Sequence, residues 1–448
     1  MFPGRGRQQG QALIYGIFVL LGGLAALYFL FNTGQLSSEK TKLVNTADAV
    51  VYSAGVMHAR ALNFDAYTNR ALIANEVMIA QLVSLASWAQ YAEAHEQAVP
   101  PLNCYYLYSV PIALGLINYM PLCYALSYDG LYVEAVPLAK QAIDFAAPNA
   151  VKLTEGAKYL LQKAQVTMYG AFGAARAAVM DEVANENYVK DGKLDSKVQV
   201  DPIPLVDNFY DFEGGPFIRQ YSGDERTRFK EVELAAAYQD QFVKERAWSD
   251  HSLWSCIPAI PRGEVDRTGG TVLNGFDEWK AVDKASLHVE VLNLHVPWFG
   301  VPYWSCDTVF NYSLGEGEQS TTQASGSASS SAWNYSGVPK FYELSAKALD
   351  SDDPRVKFSI RLIRKKTEAR TSAGKSLIKP AGRMDLYQGS EVVDVMAAVA
   401  TSEVFFERPV ARVDGQKEIG SLFNPYWQVH LIASSAADIN EAKARQKK

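Results

Sequence analysis

The clearest pattern in the chain is a change of hydrophobic period. From Ala12 to Phe31 no side chain is charged, and the phenols of Tyr15 and Tyr28 are the only ionisable groups. About 20 residues of helix span roughly 30 Å, the thickness of a bilayer's hydrocarbon core. The run has no polar face to show to water, and it ends in Phe29-Leu30-Phe31-Asn32, a poor signal-peptidase site. It predicts an uncleaved transmembrane helix over 12–32, preceded by a short basic tail over 1–11. Beyond it, Leu43, Ala47, Val50, Ala54, Met57, Ala61 and Phe64 repeat at spacings of four and three. That is one apolar stripe on a helix. The phase slips around Asp65–Arg70, and a second stripe runs through Ile73, Val77, Ala80, Ser84, Ser87 and Tyr91. With no proline between Pro3 and Pro100, the pattern predicts a rod that packs along most of its length. Ala47, Ala54, Gly55 and Ala61 are small enough for another backbone to approach.

Cys104–Leu126 is a second uncharged run, interrupted by Pro111 and Pro121. Two readings stay open. A spanning helix would hold Cys104 and Cys123 about 28 Å apart, whereas a disulfide needs their Cα atoms within about 7 Å. The run is therefore either a second membrane segment or a bent, buried stretch closed by a Cys104–Cys123 bond. Tyr132–Ala146 and Val151–Asn187 read as helices. The second carries a stripe of Leu160, Ala164, Met168, Ala171, Ala175 and Val179 and could pair antiparallel with the rod. Residues 33–190 thus form a helical stalk or bundle.

Near residue 190 the pattern changes to period two. Val356, Phe358, Ile360 and Leu362 alternate with Lys357, Ser359 and Arg361, and Trp427, Val429 and Leu431 do the same after Asn424-Pro425. Leu287–Val296 and Glu403–Phe406 are further strand candidates, and Glu231–Trp248 reads as helix. The fold class is α+β: a transmembrane helix continuing into a helical stalk, then a β-rich α+β head over 191–448. Within the head, Gly315–Gly337 is rich in Ser, Gly and Thr and reads as an exposed loop whose end Trp333 and Tyr335 dock.

Composition narrows the function. A net charge of −6 in 448 residues gives no basic field for nucleic acid. The four cysteines, Cys104, Cys123, Cys256 and Cys306, form no C-x-x-C pair, so a zinc or thioredoxin-type site is not indicated. Their even count fits two disulfides in an oxidising compartment, Cys104–Cys123 and Cys256–Cys306. No Walker A loop, H-E-x-x-H or G-x-S-x-G occurs. His288 and Glu290 would share one side of a strand, with His295 on the other, which makes a poor metal site. Asp350, Asp352 and Asp353 lack the glycine and terminal Glu of a calcium loop and read as a solvated turn. The four basic residues of Arg361–Lys366 read as a solvated strand edge. The sequence therefore indicates no catalytic residue, metal or cofactor.

Arg7-Gln8-Gln9-Gly10-Gln11-Ala12-Leu13, the apolar span, and Leu43-Val44-Asn45-Thr46-Ala47-Asp48-Ala49-Val50-Val51-Tyr52-Ser53-Ala54-Gly55 occur in that order. Together they resemble the N-terminal module of TadE/TadG-like proteins of Flp (tight-adherence) pilus assembly. The resemblance covers about residues 5–60. Pilins carry a Glu five residues after the Gly at which they are cut; Tyr15 stands there, so the uncleaved, TadG-like type is implied. The resemblance implies a non-catalytic, single-pass protein of the bacterial inner membrane. Its partners would be the lipid bilayer, through Ala12–Phe31, and pilus subunits or other assembly proteins. A cytoplasmic N-terminus and a periplasmic bulk agree with the cysteine pairs and with Glu39 and Asp48, which dilute the charge of Lys40 and Lys42. The alternative is a membrane-anchored envelope enzyme or ligand-binding protein with an unrecognised site in the head.

Overall fold

The computed structural model describes residues 11–102, 130–188, 198–251, 262–322, 333–365 and 395–446. In chain order, two long helices come first, α1 (Gln11–Leu102, 92 residues) and α2 (Gly130–Glu186, 57 residues). Short strands follow, β1 (Gln199–Val200), β2 (Val206–Asp207) and β3 (Ile218–Tyr221), then α3 (Thr227–Ala237). Next are β4 (Trp248–His251), β5 (Arg262–Asn274), β6 (Glu278–His295), β7 (Tyr303–Ser320) and β8 (Phe341–Leu344). The turn of helix α4 (Ala346–Leu349), β9 (Val356–Lys365), β10 (Val395–Phe406), β11 (Trp427–Ile432) and α5 (Ala436–Gln446) complete the chain. The fold is α+β, long apolar helix first and sheets after.

The chain divides into two units, each assembled from separate stretches. Met1–Tyr67, Val166–Arg219 and Glu343–Lys448 form the first; Thr68–Gln165 and Gln220–Tyr342 form the second. In the first unit β1, β9, β10 and β11 lie side by side, and β2 follows β1 along the same edge of β9. All these pairings are antiparallel, with Ala400 opposite Ile360 and Val404 opposite Val429. α1 and the end of α2 supply Leu43, Val50, Met180 and Ala184 to one core with Phe358, Ile360 and Leu362 of β9 and Met396 and Ala398 of β10. β9 is buried along almost its whole length. The expectation of a solvated basic edge at Arg361–Lys366 is therefore corrected: Arg361 and Arg364 are buried. β9 has strands on both sides, α1 and α2 over one face and α5 over the other, where Ile439 and Ala442 pack with Ile363 and Val399, so its charges had to find carboxylates inside.

The second unit holds the antiparallel meander β4-β5-β6-β7. Along β6, Trp279, Ala281, Asp283, Ala285, Leu287 and Val289 are buried while the residues between them are at least partly exposed, as a sheet with one covered face requires. The cover includes α1: Ser87 donates to Asp283 (2.9 Å) and Tyr312 donates to the Ala98 carbonyl (3.1 Å). Gly315–Ser320 belongs to β7 and is mostly buried, which corrects the expected exposed loop at 315–337 over that part. Its glycines serve close approach rather than flexibility. A β-carbon on Gly315 would stand 2.6 Å from the His95 amide nitrogen, and one on Gly317 would collide with the Ser87 carbonyl oxygen. Trp333 is buried, and Tyr335 donates to Glu76 (2.8 Å).

Two helix boundaries are also corrected. The two helices expected over Tyr132–Ala146 and Val151–Asn187 are one helix, α2, which ends at Glu186 and has Pro137 and Pro148 inside it. Glu231–Trp248 is helical only to Ala237, and Trp248 opens β4.

Candidate functional site

The site with most structure behind it is the stretch of α1 from its apolar run to Asp65, with the groups of the first unit that receive it. No residue from Ala12 to Phe31 is buried. Among the described residues this is the one helix long and apolar enough to cross a membrane. Burial begins at Asn32 and Leu36.

Of the expected packing face, Leu43, Ala47, Val50 and Ala54 are buried in the core with α2, β9 and β10. Ala61 is buried in a neighbouring cluster with Phe172, Phe209, Phe217 and Trp427, against which Met57 is partly buried. Phe64 stands 36% exposed. The geometry explains the drift. A 4-3 repeat has period 3.5, and on a helix of 3.6 residues per turn it rotates about 20° per heptad. Three heptads from Leu43 to Phe64 turn the stripe by about 60°, and Leu62 and Ala66 are fully buried in its place. The face receives a sheet as well as the helix expected from sequence. A β-carbon on Gly55 would meet Val429 Cγ2 at 2.5 Å and Ser402 Oγ at 2.9 Å.

Just beyond the apolar run, α1 carries charge into the core. Glu39 accepts from Arg364 of β9 in a buried ion pair, and the fully buried Lys40 donates to the Ala397 carbonyl of β10. Lys42 and Arg364 lie 4.3 and 4.4 Å from the centre of the Tyr188 ring. Arg361 is met bidentately by Asp201 (2.8 and 3.2 Å). A buried charge left unpaired costs several kcal/mol, so the Glu39–Arg364 and Lys40–Ala397 contacts hold α1 in register on the sheet.

One turn past Ala54, His58 is fully buried among Phe172, Phe209 and Phe358, with ring centroids 5.0 to 5.3 Å away. Its Nε2 accepts from Arg176 Nη1 (2.8 Å), and Arg176 forks onto Asp207 at 3.1 and 2.6 Å. Burial first, and the Arg176 charge second, hold the imidazole well below its ordinary value. His58 is thus a neutral acceptor that positions Arg176. No sequence motif signals this cluster; a lone histidine on a helical stripe is its only trace. Asp65, deeper along α1, is held well above the ordinary carboxyl value by burial and then by the Glu343 charge.

The second unit contains a buried carboxyl pair. Glu76 meets Lys158 and accepts from Trp279 Nε1 (3.2 Å) and Tyr335. Glu233 is also fully buried, beside Glu76. Burial, then the Glu76 charge, drives Glu233 well above the ordinary carboxyl value. Like charges at one site cannot both ionise freely, and here Glu233 is the carboxyl whose neutral form is favoured. Tyr335 is pushed up as well, by burial first and then by Glu76.

Cys306 lies exposed in β7. Cys104, Cys123 and Cys256, and with them both expected pairings, lie outside the described residues, as does Cys104–Leu126 beyond α1. His288 contacts Asp266 and Ser286, while His295 binds Asp307 (2.6 Å). Asp353 pairs with Arg355 at 2.8 Å. Among the described residues, no group of three His, Cys, Asp or Glu is placed to hold a metal ion.

An exposed apolar helix start, a buried continuation of the same helix and an α+β body define a membrane protein with a helix-mounted body. Residues 10–61 match the family model described as Flp pilus-assembly, TadE/G-like. The matched segment is the apolar run together with most of the seam just described. No curated protein and no solved structure matches the chain.

Proposed function

We propose that the protein is a non-catalytic component of a bacterial Flp/Tad-type pilus assembly or secretion machine. It is anchored in the inner membrane by Ala12–Phe31, with the N-terminus in the cytoplasm and the bulk in the periplasm. The observation that carries this reading is the make-up of the matched segment. The family match ends at residue 61, and within it the chain passes from fully exposed apolar helix to helix buried in a core. The module therefore does two things: it enters the bilayer and it seats a folded body at the bilayer's edge. Cys104–Cys123 and Cys256–Cys306 bonds belong to the same reading, since they require the oxidising side of the membrane.

Two measurements test it. Alkaline phosphatase, which folds only in an oxidising compartment, should be active when fused after Lys448 and inactive when inserted before Ala12. Chemical cross-linking in membranes, followed by solubilisation and mass spectrometry, should recover pilus subunits or pilus-assembly proteins. Inactive fusions at Lys448, or cross-links to no pilus component, would overturn the reading.

A further inference from the structure

The open face of the second unit's sheet holds a polar cleft of about 480 Å3, within the range of about 300–1,000 Å3 usual for small-molecule sites. Its lining includes Trp248 of β4, Asp266 and Thr268 of β5, and Lys284, Ser286 and His288 of β6. The alternation of β6 makes this face: Asp283, Ala285 and Leu287 are buried, so Lys284, Ser286 and His288 point the other way. Register sets them beside polar residues of the neighbouring strands. Thr268 lies opposite Lys284, Asp266 opposite Ser286, and Ser249 opposite Asp266. The pairing of β6 with β7 is shifted twice, between Ala285 and Ser286 and between Val289 and Glu290, so irregularities bracket Ser286 and His288. Such bulges are over-represented beside functional sites, where they re-aim a side chain. On the other side, the Arg246 amide donates to the Gly269 carbonyl (2.7 Å), which lays the chain leading to Trp248 along the edge of β5.

We propose that this cleft binds a saccharide. Its side chains select that class. Asp266 accepts hydrogen bonds, Lys284 donates them, and the hydroxyls of Ser249, Thr268 and Ser286 do both. A sugar's hydroxyls also donate and accept, so they match all three kinds. A phosphate would meet the Asp266 charge, and a cationic ligand the Lys284 charge. The groups are free to bind: among the described residues, Ser249, Thr268 and Lys284 make no side-chain hydrogen bond or ion pair. The guanidinium groups nearby add no positive field for an anion, because Arg246 and Arg267 both turn to the buried Asp283. Trp248, 41% exposed, supplies an apolar ring for the C–H face of a sugar. The geometry is that of a binding site and not of a hydrolase. Ser286 meets His288 Nε2 (2.9 Å) and Asp266 lies 3.7 Å from the same nitrogen, whereas a Ser-His-Asp relay uses both ring nitrogens.

The pilus reading neither requires this site nor depends on it, so the two fail separately. Full-length protein in a detergent without a sugar head group is titrated by calorimetry with chitotetraose, an amino-sugar chain, and with maltotetraose, a plain glucan. At least one is expected to bind, and which one does separates the two sources. Asp266→Ala removes the charged acceptor, and affinity should fall about tenfold or more, as the loss of a hydrogen bond to a charged group brings. Thr268→Arg, at an exposed position, fills the cleft without removing a packed group. It should abolish binding with the melting temperature unchanged, and it decides the matter even if Asp266→Ala fails to fold. Asp277→Asn, exposed and outside the cleft, should bind as the natural protein does. No binding of either sugar, or binding that survives Thr268→Arg, would overturn the proposal.

Discussion

A β-carbon on Gly55 of α1 would lie 2.5 Å from Cγ2 of Val429 on β11, so the helix rests on the sheet with no room for one methyl. This contact sets two effects against each other. Gly→Ala in a helix interior gains about 1 kcal/mol in propensity, whereas overpacking a tight seam costs about 1–3 kcal/mol. Overpacking should win at Gly55. Gly170, exposed on α2 with nothing within 4 Å, should show the propensity gain alone. Gly55→Ala is therefore expected to lower the melting temperature of the detergent-solubilised protein and Gly170→Ala to raise it. A rise for both would mean that the seam yields freely.

The imidazole of His58 makes the first unit sensitive to acid. Its pKa is depressed in the folded protein, so its contribution is complete above the ordinary value near 6.5 and is lost as pH falls below it. Asp65, raised in the same unit, acts in the opposite sense, so a comparison of variants carries the test. His58→Gln keeps an acceptor for Arg176 without a titrating ring. Between pH 7.5 and pH 5, hydrogen exchange in α2 should quicken more in the natural protein than in the variant. The ceiling is about 1.4 kcal/mol per pH unit for one proton. Parallel pH profiles would show that His58 titrates alike in both states.

Much of this was legible because it is periodic. The charge-free run to Phe31, the 4-3 stripe and the alternation in β9 each reflect one repeated environment, and repetition survives in a sequence. The stripe's fading at Phe64 was not legible, because 3.5 and 3.6 differ by too little to show within three heptads. The buried arginines of β9 were missed for another reason. A basic run looks solvated until Asp201 and Glu39 are brought to it from 160 and 325 residues away. The two units escape a scan along the chain because each is assembled from separate stretches. Glycines in a Ser-rich segment look like a loop, and only the backbone of α1 beside Gly315 and Gly317 explains them.

The cysteine pairings offer a check on compartment. Cys306 of β7 sits opposite Leu292 of β6, and β4 ends five residues before Cys256. A Cys256–Cys306 bond would close a loop of about 50 residues, which adds roughly 3–4 kcal/mol in the chain-entropy model. Non-reducing peptide mapping of protein from native membranes should give Cys256–Cys306 and Cys104–Cys123 peptides, and Cys306→Ser should lower the melting temperature. Four alkylatable thiols would remove the pairing and the periplasmic placement together.

The sharpest test of the second unit's interior contrasts its two carboxyls. Glu233 is faced by Glu76, Lys158, Lys230 and Tyr335, and burial first, then the Glu76 charge, raise its pKa and favour the neutral acid. Such a group contributes fully below the ordinary carboxyl value, and its contribution is lost as pH rises through the folded value. Glu233→Gln mimics the neutral acid permanently. It should match the natural protein near pH 5 and exceed it at pH 8, with a flatter decline in between. Glu76→Gln should behave oppositely. It strips a carboxylate from Lys158, which is fully buried, and breaking one side of such a pair costs about 3–5 kcal/mol. Glu155 (2.6 Å) and the Gly337 carbonyl (2.9 Å) still hold the ammonium, which points to the lower end of that range. Denaturant titrations of both variants at pH 5 and pH 8 decide the matter. If Glu233→Gln destabilises at pH 8 as much as Glu76→Gln does, Glu233 is ionised in the folded protein.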